Sequence, residues 1–357
     1  MQRLIKRLFW TLLMECKSKD ELLLMSVQRI SFLTLNEKIK LLKKLDSFNA
    51  LALMSLEDMI SFCGRNLSRI KWNGNENLRY AENELRLLRA KRIAYVLYSD
   101  ADYPALLREV PDAPFMLFYR GNLLGLSGRT VSVVGTRRVS SEGKSAAIDF
   151  AMSAALDGCS VVSGLAYGVD SAAHYGAVSA YYDSLVNNKL CAGKTVAVLP
   201  CGCESVTPRS NVRLAEQILE SGGCIVSEYA PGTPAENWRF VHRNRIIAAL
   251  SPATVVIQAP AGSGALITAQ FALEYNRDVM FHHVAFGTEY ECIRKHFDAN
   301  LKFRFSRGEV SKAKLENTPE CYLEAGAPVI DNYADYCKCL TEMPGIRSVK
   351  TEQLELF

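Results

Sequence analysis

Residues 131–138 read Val-Ser-Val-Val-Gly-Thr-Arg-Arg, a short apolar run followed by a glycine turn that carries two arginines. The same order of β-branched run, small-residue turn and helical pattern recurs up to about residue 277. Further turns of this kind lie at 163–170 (Ser-Gly-Leu-Ala-Tyr-Gly-Val-Asp), 200–202 (Pro-Cys-Gly) and 261–269 (Ala-Gly-Ser-Gly-Ala-Leu-Ile-Thr-Ala). Short apolar strands that alternate with helices predict an α/β fold with a doubly wound, Rossmann-like parallel sheet covered on both faces.

The periodicity gives an expected order of elements. Strands are expected at 131–134, 160–163, 195–199, 225–228, 254–258 and 279–281, and helices near 141–156, from 171, near 211–220, around 245 and from 265. The polar stretch 182–193 is expected to be a surface loop. The pattern weakens after His283, and residues 284–320 receive no assignment.

Three regions are expected along the chain. Residues 1–92 are rich in Leu, Lys, Arg and Glu with apolar positions at helical spacing, which predicts a small all-helical N-terminal domain. Residues 93–340 begin with a strand-like run and a proline-rich connection and then form the α/β core. Residues 341–357 are expected to be a flexible C-terminal tail.

The amino-acid composition excludes few classes of function. The 357 residues are 49% hydrophobic and 22% charged with a formal net charge of +4, so a polyanion site must come from local clustering. The eleven cysteines include Cys201 with Cys203 and Cys337 with Cys339, a spacing too short for a zinc module. We therefore expect no metal site, reduced thiols and a cytoplasmic protein, and no membrane-spanning segment.

The glycine and serine turns favour anion binding. Small residues let backbone N–H groups approach a phosphate, and a helix N-terminus and arginines add positive charge. The carboxyl ends of parallel strands meet at one sheet edge, so these turns would share a pocket. Arg137 and Arg138 lie in one turn, and Arg243, Asn244 and Arg245 head an apolar helix. The alternative is that these arginines form internal salt bridges, for Arg243 and Arg245 with Glu228 or Glu236.

Other chemistries fit the sequence poorly. Gly143-Lys144-Ser145 lacks the earlier glycine of a P-loop, and Gly135-Thr136-Arg137 lacks the three-glycine dinucleotide fingerprint. Asp170 and His174 lie four residues apart on one helix face without a nucleophile elbow, so they are expected to serve as a cap or dipole partner and as a packing or hydrogen-bonding residue. We expect no catalytic residues and no cofactor.

A set of longer motifs extends this interpretation. They are residues 99–104 (Ser-Asp-Ala-Asp-Tyr-Pro), 112–114 (Asp-Ala-Pro), 120–123 (Arg-Gly-Asn-Leu), 133–137 (Val-Val-Gly-Thr-Arg), 163–170 with Ala173-His174, Pro208 with Asn211, 227–229 (Ser-Glu-Tyr), 243–248 (Arg-Asn-Arg-Ile-Ile-Ala), 263–269 (Ser-Gly-Ala-Leu-Ile-Thr-Ala), and 323–329 with Asp335. Over roughly residues 95–340 the chain thus resembles the DprA/Smf family of DNA-processing proteins.

The resemblance implies an extended Rossmann core, a helical (SAM-like) N-terminal domain and a homodimer. It also implies binding of single-stranded DNA and loading of RecA recombinase during DNA uptake, natural transformation and recombination. Carried over by position, the expected DNA- and phosphate-binding residues are Gly135, Arg137, Ser163, Gly164, Arg209, Asn211, Arg243, Asn244, Arg245, Ser263 and Gly264.

Three departures from the family pattern stand out. Gly262 replaces a basic residue that commonly precedes the Ser-Gly turn, and Gln258 replaces a glutamate, so the pocket is expected to be less charged or differently tuned. His283-Val284-Ala285 replaces the usual Val-Pro-Gly. No winged-helix domain is expected after residue 340.

The last five residues, Gln353-Leu354-Glu355-Leu356-Phe357, resemble the short motif by which bacterial replication and repair proteins bind the DNA sliding clamp. Gln353 would bond the groove rim while Leu354, Leu356 and Phe357 fill the groove. The alternative is an ordinary amphipathic terminus.

The leading hypothesis is a non-enzymatic protein that binds single-stranded DNA through Arg137, Arg243, Arg245 and backbone donors, with Tyr167 or Trp238 either stacking bases or buried in the core. The rival is a nucleotide-processing hydrolase of the N-glycosidic bond on the same scaffold. It needs a carboxylate, for which Asp170 or Glu228 is available, but the chain lacks the Pro-Gly-Gly-x-Gly-Thr loop of such enzymes. A weaker third hypothesis is an oligomeric adaptor whose pocket has lost its ligand.

Overall fold

The computed structural model describes residues 20–67, 69–187 and 193–342. It divides into two compact units, one of Met1–Arg120 with Cys201–Ser205 and Ser227–Pro234, the other of Gly121–Pro200, Val206–Val226 and Ala235–Phe357. The proposed clamp-binding residues Gln353 to Phe357 and the first nineteen residues lie outside the described part.

The elements follow in chain order. They are α1 (Glu21–Gln28), α2 (Leu35–Lys44), α3 (Phe48–Leu53), α4 (Leu56–Cys63), α5 (Gly74–Ala90), β1 (Ala94–Leu97), α6 (Ala105–Arg108), β2 (Met116–Gly121), β3 (Thr130–Val134), α7 (Ser141–Leu156), β4 (Ser160–Ser163), α8 (Val169–Val186), β5 (Thr195–Val198), α9 (Val212–Glu220), β6 (Cys224–Ser227), α10 (Asn237–His242), α11 (Asn244–Ala249), β7 (Ala253–Val256), α12 (Gly264–Glu274), β8 (Asp278–His282), α13 (Thr288–Ser306), α14 (Lys312–Glu316), α15 (Pro319–Glu324), β9 (Val329–Ile330) and α16 (Tyr333–Glu342).

The first unit contains the helices α1 to α5 and an antiparallel pair of strands. Its helix starts are set by side-chain caps: Thr34 and Glu37 form a reciprocal capping box on α2, and Ser55 and Asp58 do the same on α4. Strand β1 pairs antiparallel with β2, with Ala94 opposite Tyr119 and Leu97 opposite Met116. The unit continues past residue 92 to Arg120.

The second unit contains the parallel sheet that the sequence predicts. Its strand order is β6-β5-β4-β3-β7-β8-β9, and every pair is parallel. The chain builds the sheet in one direction from β3 to β6, then returns to the other side of β3 with β7. The order therefore reverses between β3 and β7, the position at which doubly wound sheets bind ligands. The predicted α/β, doubly wound fold is confirmed.

Small residues bring α7 and α8 together against the sheet. Their facing surfaces are largely alanine, including Ala147, Ala151, Ala173 and Ala177, all buried in one apolar cluster. A Cβ on Gly176 would lie 3.0 Å from the carbonyl carbon of Ile148, so only glycine permits this separation of the two helices. Close packing here fixes the start of each helix relative to the strand before it.

One expectation needs correction, and the structure defines one segment that the sequence left unassigned. Helix α8 continues to Val186, so the predicted surface loop 182–193 is wrong for residues 182–186. Ser184 is buried on this last part of the helix, and its hydroxyl donates to the carbonyl of Ala180. The unassigned segment 284–320 contains α13, α14 and the start of α15; α13 buries only Tyr290 and Leu301, so the spacing of its apolar residues gave no clear helical signal.

In the part of the chain that the structure describes, no helix combines the length and apolar character that a membrane crossing requires.

Candidate functional site

A cavity of about 630 Å³ opens at the carboxyl ends of β3 and β7, where the strand order reverses. Five segments line it: the turn after β3, the turn after β4 with the start of α8, the α10–α11 region, the turn after β7 with the head of α12, and the α13–α14 region. The lining residues are Val134 to Arg138, Ala166, Asp170, Phe240, Val241, Arg243, Asn244, Ile247, Pro260 to Ala265, Thr268, His296, Phe297, Asn300, Leu301, Arg304 and Lys314.

The turn after β3 presents two exposed arginines to this cavity. A Cβ on Gly135 would lie 2.7 Å from Cβ of Val169 and 2.9 Å from the carbonyl oxygen of Gln258, so glycine is required where the turn meets α8. The guanidinium of Arg137 lies 5.3 Å from the ring centre of Phe240, and that of Arg138 lies 5.6 Å from the ring centre of Phe297. Stacking on an aromatic face holds a guanidinium in place while its N–H edges stay available to an anion.

The turn after β7 supplies a helix N-terminus. Ser263 caps α12 by accepting a hydrogen bond from the backbone N–H of Leu266. Gly264 and Ala265, in the first turn of the helix, line the cavity, and first-turn N–H groups have no partner within their own helix. Asn244 donates to the carbonyl of Gly264 at 3.1 Å, which fixes this turn against α11. The arrangement favours a phosphate or another anion.

Arg243 lines the cavity but turns its guanidinium into the protein. Only 3% of its surface is exposed; Nη1 donates to the carbonyl oxygens of Gly164 and Val198, and Nε donates to Oδ1 of Asn244. Nη2 lies 3.8 Å from Oδ2 of Asp170. For Arg243, the internal salt bridge left open by the sequence forms with Asp170. Arg243 joins the ends of β4 and β5 to the start of α8.

Asp170 and His174 act as hydrogen-bonding groups, as the sequence indicates. Burial raises the pKa of Asp170 against the opposing charge of Arg243, and its carboxylate accepts from the N–H of Ala166. Nε2 of His174 accepts from the N–H of Leu165 at 3.2 Å, so Nδ1 carries the proton and donates to Oγ1 of Thr195 at 2.7 Å. Burial lowers the pKa of His174 to about 3, which keeps the ring neutral.

The structure brings only part of the expected phosphate-binding set to the cavity. Gly135, Arg137, Arg243, Asn244, Ser263 and Gly264 line it, whereas Ser163, Gly164, Arg209, Asn211 and Arg245 do not.

Each residue away from the wall has a physical reason for its position. Ser163 is fully buried and its hydroxyl donates to the carbonyl of Val133 at 2.7 Å. Gly164 lies beneath the Arg243 guanidinium. Nδ2 of Asn211 donates to the carbonyl of Leu165, so it supports the turn from behind. Arg245 is 5% exposed, and its Nε donates to Nε2 of His242. Arg209 lies on a short 3-10 turn that does not line the cavity.

Sequence reasoning missed one wall of the cavity. His296, Asn300 and Arg304 from α13 and Lys314 from α14 line it, all within the segment left unassigned. Arg304 pairs with Glu309 at 3.2 Å, so its charge is partly compensated. The available signal was the density of Lys and Arg between 294 and 314, which composition shows but helical periodicity does not.

The charges of the cavity are unbalanced. Asp170 is the one carboxylate among the lining residues, whereas Arg137, Arg138, Arg243, Arg304 and Lys314 are cationic. The described residues contain no cluster of three His, Cys, Asp or Glu side chains suited to a metal ion. Such a cavity can bind an anion, and its aromatic residues can contact a flat group beside it.

Comparisons with known proteins agree on one family. Residues 94–295 match the family model described as DNA recombination-mediator protein A. Protein Smf of Borreliella burgdorferi is 30% identical over 263 residues, which cover 74% of this chain and 79% of that protein. The DNA processing protein DprA of Bacillus subtilis is 34% identical over 196 residues, covering 55% and 62% respectively.

Solved structures show the same fold. The X-ray structure of DNA processing protein A from Streptococcus pneumoniae superposes with a TM-score of 0.63 at 27% identity, covering 90% of this chain and 98% of that one. A DNA processing protein A from Helicobacter pylori, described for its single-stranded DNA binding mode, gives a TM-score of 0.52 at 22% identity, with coverage of 70% and 96%.

Proposed function

Because the chain belongs to the DNA recombination-mediator protein A family, we propose that it binds single-stranded DNA in the cavity between β3 and β7. The Helicobacter pylori relative is described as a single-stranded DNA-binding protein, which supports the same ligand here. Exposed Arg137 and Arg138 would contact phosphates. The N–H groups at the N-terminus of α12 would bind another phosphate on the opposite side of the cavity.

The pairing of arginines with aromatic rings carries this proposal. Arg137 on Phe240 and Arg138 on Phe297 present cationic edges and apolar faces side by side. A nucleotide strand needs both, since its phosphates bind guanidinium groups and its bases stack on rings. Trp238 is 54% exposed and Tyr167 is 52% exposed, so both rings reach solvent outside the cavity, where Trp238 also contacts Arg239 and His242.

The experiment is fluorescence anisotropy with a labelled oligonucleotide across a salt series. We expect Arg137→Ala to weaken binding about tenfold and to lower the slope of log affinity against log salt by about 0.7, as for the loss of one phosphate contact. Arg129→Ala is the matched control, because Arg129 precedes the same strand at its opposite end and pairs with Asp157. Wild-type protein without affinity for the oligonucleotide would refute the proposal.

The enzyme alternative rests on one observation, the carboxylate of Asp170 on the cavity wall. Its oxygen is engaged by Arg243 and by the N–H of Ala166, which suits a structural role better than attack on a sugar. We therefore infer a non-enzymatic protein. Release of free base from nucleoside monophosphates, abolished in Asp170→Asn, would instead establish the hydrolase.

The remaining parts of the proposal follow from family membership. They are assembly as a homodimer, loading of RecA recombinase onto bound strands during natural transformation and recombination, and a cytoplasmic location. Strand exchange by RecA on DNA covered with single-strand-binding protein should begin sooner when this protein is added. An unchanged lag would count against RecA loading without affecting the DNA-binding proposal.

The C-terminal residues Gln353, Leu354, Leu356 and Phe357 are proposed to bind the DNA sliding clamp, which would keep the protein near replicating DNA. Deletion of 353–357 should abolish pull-down by the purified clamp. Equal recovery of the truncated and full chains would overturn this part.

A further inference from the structure

The α14 helix brings a single lysine to the wall of the cavity. Lys314 lines it, whereas Lys312 on the same helix pairs with Glu316 at 3.3 Å. Among the described residues no carboxylate lies within ion-pair distance of the Lys314 ammonium group. Its charge is therefore uncompensated beside a cavity that already contains Arg137 and Arg138.

The position of Lys314 depends on the turn after β7. The N–H of Gly262 donates to the carbonyl of Asn317 at 2.8 Å, and the N–H of Ala261 donates to Oδ1 of Asp298 at 3.4 Å. Leu301 of α13 is 7% exposed and packs on the same turn. The two helices are thus attached to the turn that precedes the head of α12.

Gly262 makes this attachment possible. Its φ of +62° lies in the left-handed region, and a Cβ there would lie 2.7 Å from the carbonyl oxygen and 2.8 Å from Cγ of Lys314. Any side chain at 262 would displace α14. Gly262 carries no charge itself, but because it has no side chain, Lys314 can approach this turn from a distant segment of the chain.

We propose that Lys314 is a DNA-binding residue that supplies a phosphate contact at the turn after β7, and that Gly262 determines its position. This inference rests on the proposed binding of single-stranded DNA. The contact is to the sugar-phosphate backbone, since an ammonium group at the end of a flexible chain recognises charge rather than a base edge.

The test compares single-residue variants by anisotropy against the same oligonucleotide in a salt series. Lys314→Ala should weaken binding about tenfold and reduce the salt slope by about 0.7, equally for different base sequences. Lys314→Arg should retain binding, and Lys312→Ala should leave it unchanged. Thermal melting of each variant checks that the fold is intact.

Gly262→Ala tests the positioning role. It should lose affinity to the same extent as Lys314→Ala, and the double variant should lose no more than either alone. Additive losses would overturn the link between Gly262 and Lys314.

The outcomes separate the two proposals. If Arg137→Ala weakens binding while Lys314→Ala binds like the wild type, or if Lys312→Ala weakens binding as much as Lys314→Ala, the inference is overturned and DNA binding stands. If the wild-type protein does not bind the oligonucleotide, both are overturned.

Discussion

The guanidinium of Arg243 occupies the space in which a side chain on residue 164 would lie. Sequence reasoning assigned both residues to phosphate binding, yet in the structure they contact each other. Glycine at 164 accommodates the buried arginine, and the arginine bonds the backbone of the turn that contains it. Arg243 lines the cavity, and Gly164 lies behind it.

Gly164→Ala should therefore destabilise the fold. The added methyl group would collide with the Arg243 guanidinium, and overpacking of this kind typically costs about 1–3 kcal/mol in the free energy of unfolding. Urea denaturation measures the change. Gly128→Ala is the control, because no atom lies within 4 Å of the position its Cβ would take. Equal stability of the two variants would contradict the proposed role of Arg243.

Phe240→Leu should weaken DNA binding without unfolding the protein. Loss of the ring releases the Arg137 guanidinium, and a cation–π contact at an exposed site contributes about 0.5–1 kcal/mol. Binding affinity should fall by about two- to fivefold. Phe303→Leu removes the same type of pair with Arg307 away from the cavity and should leave affinity unchanged.

His174 should make the fold sensitive to acid. Its pKa of about 3 in the folded protein lies below the ordinary value of 6.5, so the unfolded chain takes up the proton first as the pH falls. Stability is therefore fully present above pH 6.5 and declines towards pH 3, by about 1.4 kcal/mol for each pH unit.

Replacement of the residue isolates this effect. His174→Gln should be less stable than the wild type at pH 7.5, and the difference between them should shrink at pH 5. Urea midpoints at the two pH values provide the measurement, and a difference that does not change with pH would show that His174 is not buried in the neutral form.

Gln258→Glu should destabilise the protein, although the resemblance suggests glutamate at this position. The amide Nε2 donates to Oγ of Ser140 and to the carbonyl of Val284, and a carboxylate cannot donate to that carbonyl. The loss should be about 1–3 kcal/mol in the free energy of unfolding. It should grow as the pH rises above about 4.3, because the unfolded chain then releases a proton that the buried carboxyl group keeps.

Gln270→Glu on the exposed face of α12 provides the comparison and should change stability by less than about 1 kcal/mol. A Gln258→Glu variant as stable as this control would show that the two donated bonds contribute nothing.

The sequence was sufficient for the parallel sheet because its strands are short, apolar and separated by turns with small residues. The sequence was also sufficient to place Arg137 at the sheet edge, because this residue directly follows β3. The sequence was insufficient to predict that the side chains of Arg243 and Ser163 are buried, since proximity to a turn does not reveal whether a side chain faces the cavity or the core. It did not assign α13 and α14, because an exposed, charged helix gives little apolar periodicity.

Gly262 illustrates the same limit. The resemblance to the family implies a missing charge at this position, whereas the structure places Lys314, which is 52 residues further along the chain, beside it. Only a tertiary contact could show this.

The two sides of the cavity tolerate change to different degrees. Gly135 and Gln258, beside the turns after β3 and β7, are packed against the interior, so a substitution at either residue alters folding together with binding. Arg304 and Lys314 are exposed side chains on α13 and α14, attached to the sheet through other residues. A protein engineer could therefore replace these two residues to raise or lower the affinity for a nucleic-acid strand without changing the stability of the fold.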